Sequence, residues 1–164
     1  LVEDGTLDHF GLGLYRRADA PPADLDLVEV ALRAPDCALC LNSALSHHDL
    51  TDTIPSVIDV ALPRSRRPPR VGAPVRWHRF HADTFDLGRE HLLVDDGIQL
   101  GIYGPERCIV DAFRLRHILG EQVAVEALRR WLRRSGSTPS SLLEFARPFP
   151  KAEPALRDTL RVLL

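Results

Sequence analysis

The chain has 164 residues, 45% of them hydrophobic and 27% charged, with a formal net charge of −2. That length and apolar content fit one globular domain, alone or with a small second piece, and exclude a disordered or fibrous chain. The near-neutral balance argues against uniform attraction to nucleic acid or acidic lipid, and no run of about 18 apolar residues is present to span a membrane.

In chain order, Leu1 to Asp4 read as the tail of a helix; with no Met in the chain and Leu at its first position, the natural start is expected upstream. Thr6 to Phe10 and Leu12 to Arg16 alternate around Gly11 and predict a β-hairpin, with Arg16 and Arg17 at its end. Asp19 to Asp26, carrying Pro21 and Pro22, predicts a linker that ends in helix-capping acids. A boundary is therefore expected near Ala18 to Ala23, separating residues 1–20 from an α/β unit over 24–164.

Leu25 to Arg33 has helical periodicity and stops before Pro35. Cys37 to His48 is apolar with small residues and predicts a buried helix, and Ile54 to Leu62, rich in β-branched residues, predicts a buried strand. Pro63 to Pro74 holds four prolines among four arginines and reads as an extended, exposed loop. Val75 to His81 is the next strand. His91 to Val94 and Ile98 to Tyr103 form a hairpin around Asp95-Asp96-Gly97.

The last third reads as helix: Pro105 to Leu119, Glu121 to Arg134, Pro139 to Arg147 and Glu153 to Leu163. The expected fold is α+β (mixed α/β), with a small mixed sheet of four to five strands flanked by helices. In the first of these helices Pro105 suits the first helical position and Glu106 the positive end of the dipole. Arg107, Asp111 and Arg114 share one face at 100° per residue, so Asp111 can bond either arginine. One reading is a capping Glu with a surface Arg/Asp/Arg ladder; the other is a charge cluster that pins the strand ending at Tyr103 against the helical third.

Candidate chemistry is thin. Cys37 and Cys40 have CxxC spacing, with His47 and His48 beyond, but the run lacks the turn glycines of a zinc knuckle and Cys also behaves as a small hydrophobe. His47, His48, His78, His81 and His91 could supply a base and Asp59, Asp83 or Asp111 could orient it, yet no nucleophile motif accompanies them. Twenty of the 21 basic residues are Arg and only Lys151 is Lys, which leaves the middle strands without the lysine of a metal-dependent nuclease. An enzyme, a catalytic metal and a bound cofactor are accordingly not expected.

Arg64, Arg66, Arg67, Arg70, Arg76 and Arg79 are interleaved with Trp77, and no acid occurs between Asp59 and Asp83. Guanidinium groups beside an aromatic suit phosphate or carboxylate recognition and base stacking. The plainer reading is a loop kept soluble by its charge, and the arginine excess itself fits biased codon usage.

Ser43-Ala44-Leu45 with His48 and Leu50-Thr51, then Ile54-Pro55 leading into Asp59-Val60-Ala61-Leu62-Pro63-Arg64, and finally Tyr103-Gly104-Pro105-Glu106-Arg107-Cys108-Ile109-Val110-Asp111, resemble the AbiEi family in that order. Gly11-Leu12-Gly13-Leu14-Tyr15-Arg16 is similar to the wing of that family's N-terminal winged helix-turn-helix, and the likeness runs on through Ala124 to Arg134 and Leu142 to Arg147. Cys108-Ile109 stand where the family usually has Thr or Ser followed by Leu, and its recognition helix would lie upstream of Leu1.

The resemblance implies a cytoplasmic antitoxin and transcriptional autoregulator of a type IV toxin–antitoxin system acting in phage defence by abortive infection. Its partners would be operator DNA, bound through the missing helices, and, functionally if not physically, an AbiEii-type nucleotidyltransferase toxin or that toxin's RNA target. Glu106, Arg107 and Asp111 would then be a structural signature, Arg16 and Arg17 would belong to the wing, and no catalytic residue carries over. The alternatives from the residues are a metal-dependent nuclease or hydrolase domain and a plain protein-interaction domain.

Overall fold

The computed structural model describes residues 2–164. Within them the chain is a mixed α+β fold, with eight helices, a five-stranded sheet and a separate two-stranded hairpin. The hairpin is β1 (Leu7–Gly11) and β2 (Leu14–Arg17), antiparallel and irregular between His9 and Gly11. Its turn is at Leu12-Gly13 rather than at Gly11, because Gly13 adopts φ 69°, a left-handed value that glycine tolerates without penalty. The helix tail expected over Leu1 to Asp4 is not formed by its described part: Val2 to Gly5 make a turn, with the Gly5 N–H donating to the Val2 carbonyl at 3.2 Å. Leu1 itself lies outside the described residues.

Helix α1 (Leu25–Arg33) runs as predicted, its first amides capped by Asp24, whose carboxylate accepts from Asp26 and Leu27. The expected helix over Cys37 to His48 divides. Ala38–Leu39 is a strand, β3, and only Leu41–His47 is helical, as α2. A short apolar run cannot be assigned by periodicity alone. Here tertiary pairing decides, because β3 is the middle strand and both of its residues are buried. Leu41 makes the strand-to-helix turn at φ 45°, a costly value for a branched side chain.

The strand expected over Ile54 to Leu62 is shorter, β4 (Ile58–Pro63); Ile54 is 90% exposed in the preceding loop. Next come β5 (Val75–Phe80), a one-turn helix α3 (Ala82–Phe85) that the pattern did not announce, β6 (Arg89–Asp95) and β7 (Ile98–Tyr103). The sheet order is β5-β4-β3-β7-β6. β4 lies parallel to β5 and β3 parallel to β7, while the β3/β4 and β6/β7 pairs are antiparallel. Gly101 in β7 is required by close approach, since a Cβ there would run into the Cys37 carbonyl.

The helix expected from Pro105 to Leu119 breaks at Leu115 into α4 (Pro105–Arg114) and α5 (Arg116–Leu119). α6 (Glu121–Leu132), α7 (Pro139–Ala146) and α8 (Glu153–Leu163) follow. α4 packs on α2, α6, α7 and α8, and its Arg114 guanidinium lies over the Phe80 ring, so the helical third covers the sheet face carrying Phe80 and Tyr103. α1 covers the other face, where Leu27 lies beside Leu39 and Ile58. No helix among the described residues is long and apolar enough to cross a membrane.

Candidate functional site

Parallel pairing of β4 and β5 gathers six arginines at one edge of the sheet. The Arg64 N–H donates to the Phe80 carbonyl at 3.0 Å, and the Arg79 guanidinium donates to the Arg64 carbonyl. Arg64, Arg66, Arg67 and Arg70 lie on the crossover between the strands, Arg76 and Arg79 on β5, and all six are exposed. They are not equivalent. Arg66 pairs with Asp36 at 2.9 Å, and Arg76 lies 3.6 Å from the Asp59 carboxylate. Arg64, Arg67, Arg70 and Arg79 have no acidic partner among the described residues. Trp77 stands among them, packed partly against the core.

The crossover is held in place by Glu29. This α1 side chain belongs to a residue only 3% exposed; its two carboxylate oxygens accept the Gly72 N–H at 3.0 Å each, and one also accepts the Ala73 N–H at 2.9 Å. Backbone donors here replace the water a buried carboxylate would otherwise need. Sequence reasoning missed Glu29. Its one signal is a position between two valines on the apolar side of α1.

The structure brings one of the five histidines considered as bases to a buried carboxylate. In β4 and β5, Asp59 lies beside Arg76 in register and shares a sheet face with His78, whose Nε2 is 2.8 Å from the Asp59 carboxylate. The Asp59 N–H donates to Ser43 Oγ at 2.8 Å, and a pocket of about 240 Å³ next to it is lined by Asn42, Thr53, Ser56, Asp59 and Arg76. The other histidines lie elsewhere. His81 is 3.5 Å from Asp83 in the open, and His48 Nε2 is 2.8 Å from the Tyr103 carbonyl, with burial lowering its pKa.

Cys37, Cys40 and Cys108 are buried free thiols. Burial pushes Cys37 up to about 12 and holds Cys40 and Cys108 well above the ordinary thiol value. Among the described residues no three His, Cys, Asp or Glu side chains come together as a metal-binding group.

The Arg107/Asp111/Arg114 cluster is not a surface ladder: Arg107 is fully buried and Asp111 is 1% exposed. Asp111 serves both arginines at once, taking Arg107 Nε at 3.0 Å on one oxygen and Arg114 Nη2 at 2.8 Å on the other. Arg107 Nη1 donates to the carbonyls of Thr84 and Leu87, at 2.6 Å each, and the guanidinium lies 4.1 Å from the Tyr103 ring centre and 4.7 Å from that of Phe149. The cluster therefore joins β7, the α3 turn and the α7–α8 connection. Glu106, at the start of α4, is only partly buried.

The hairpin arginines, expected to belong to a wing, are occupied. Arg16 makes a paired contact with Asp95 at 2.8 and 3.0 Å and also donates to the Pro21 carbonyl; Arg17 pairs with Asp19 at 2.6 Å. Arg16 thereby ties the hairpin to the β6–β7 turn. Compared with known proteins, the chain matches no family model and no curated protein.

Proposed function

We propose that this chain acts as an antitoxin and transcriptional autoregulator of a type IV toxin–antitoxin system, without catalysis of its own, countering an AbiEii-type nucleotidyltransferase toxin in the cytoplasm. Its operator would be bound through a winged helix-turn-helix, as the family resemblance implies. The ordered motifs from Ser43 to Asp111 resemble that family's, and one structural observation supports a contact role for this domain. Arg64, Arg67 and Arg70, on the crossover that Glu29 fixes in place, and Arg79, on β5, stand exposed and without an acidic partner among the described residues. A positive surface of this kind on a slightly acidic protein suits an acidic partner. Because Arg16 and Arg17 are engaged by Asp95 and Asp19, the hairpin contributes less free positive charge than the sequence suggested.

Co-expression of the protein with the product of the neighbouring reading frame, expected to be a nucleotidyltransferase, tests the reading. Cells should survive toxin induction only with this protein present. Death in both cases, or a neighbouring gene of another kind, would overturn it.

A further inference from the structure

We propose that the open edge of β5 accepts an extended acidic segment of a partner protein as a sixth strand. This deepens the proposed function by naming what its arginine surface contacts, and it rests on reading that surface as a contact surface. β5 ends the sheet order and has β4 as its single neighbour. The Pro74 carbonyl accepts from Ile58 and the Phe80 carbonyl from Arg64, so the residues in step with them, Arg76 and His78, also turn their backbone toward β4. Val75, Trp77 and Arg79 therefore direct their N–H and C=O groups outward, where no described strand pairs them. Such a row recruits an added strand, with main-chain bonds supplying affinity and side chains supplying selection.

The side chains around this edge choose the occupant. Arg76 and Arg79 emerge on opposite faces of the sheet, with Arg64, Arg67 and Arg70 on the adjoining crossover. A second copy of the same edge would set arginine against arginine, which is how natural edges avoid self-pairing. The same charge favours a strand carrying Asp or Glu, above all on the Arg79 face, because Arg76 already lies 3.6 Å from the Asp59 carboxylate. The half-buried Trp77 offers an apolar contact between the charges. The opposite edge, β6, lacks this character: it carries Glu90 and Asp95, and Arg16 of the hairpin already holds Asp95.

The test uses the whole chain and three probes: a short extended peptide of Glu, Asp, Thr and Val, the same peptide N-methylated at alternate amides, and a single-stranded RNA. Amide hydrogen exchange and binding are read for each. The acidic peptide should slow exchange at Val75, Trp77 and Arg79 by about tenfold or more, and leave Arg76, His78 and Phe80 unchanged, because strand addition bonds only the outward amides. N-methylation of the peptide, or Arg79→Glu in the protein, should weaken binding by about tenfold or more. Equal binding of the N-methylated peptide, absence of the alternating protection, or tighter binding of the RNA to these arginines without it would each overturn the proposal. These readouts come from the purified chain, so they can fail while cellular rescue succeeds, and the converse.

Discussion

Both carboxylate oxygens of Glu29 lie 3.0 Å from the Gly72 nitrogen, which clamps the arginine-bearing crossover onto α1. Glu29→Ala would leave the Gly72 amide, on the exposed side of the clamp, and the buried Ala73 amide without their carboxylate acceptor. The expected loss is about 2–3 kcal/mol, as for hydrogen bonds to a charged group, and Glu29→Gln should lose less because it keeps one acceptor oxygen. Urea denaturation measures both variants. An Ala variant as stable as the parent would mean that the clamp carries no weight.

Asp111 is the shared acceptor of two arginines, one of them fully buried. Asp111→Ala strands the Arg107 charge among Tyr103, Phe80 and Phe149 and should cost about 3–5 kcal/mol, the scale for breaking a buried pair by removing one partner. The same denaturation experiment checks this. A fully stable Ala variant that had lost its cellular activity would move the cluster from structure to function.

The Arg16 contact makes the hairpin's docking depend on acid. Hydrogen bonding to Arg16 holds the Asp95 carboxyl down at about 2 in the folded chain, below its ordinary value near 4 when unfolded. A depressed folded value stabilises above the unfolded one, so the contribution is complete above about pH 4 and is lost as the pH falls toward 2. Amide exchange in β1 and β2 should accelerate over that window, and Asp95→Asn should remove the pH dependence. An unchanged profile in the variant would assign the acid response to other carboxylates.

Burial raises the pKa of all three thiols, so the native chain should react very slowly with a thiol-specific alkylating reagent near pH 8 and rapidly once denatured. Mass spectrometry of alkylated peptides resolves Cys37, Cys40 and Cys108 separately. Rapid native labelling of Cys37 or Cys40 would argue for an accessible, reactive pair.

Elements with a strong local signal were legible in the sequence. α1 carries its own cap and periodicity, and the β6–β7 hairpin carries Asp-Gly at its turn, where Gly97 adopts φ 66°. β3 was not legible, because a two-residue strand has no period and exists only through its pairing with β4 and β7. The break at Leu115 left no proline or glycine to announce it. At the candidate site the arginines could be read from composition, whereas their sorting into paired and free depends on Asp36 and Asp59, one distant in sequence and one buried. Glu29 was invisible for the same reason: its partners are backbone amides more than 40 residues away.

Arg64, Arg67, Arg70 and Arg79 are the contact surface on which the proposed antitoxin role rests. Replacing all four with Ser removes exposed charges without acidic partners, and each change should alter stability by no more than about 0.5 kcal/mol. The variant, folded to the same extent as the parent by circular dichroism and urea denaturation, is co-expressed with a nucleotidyltransferase toxin of the proposed type, and colony survival is counted. Loss of rescue by this folded variant is the predicted result; survival equal to the parent's would contradict the account.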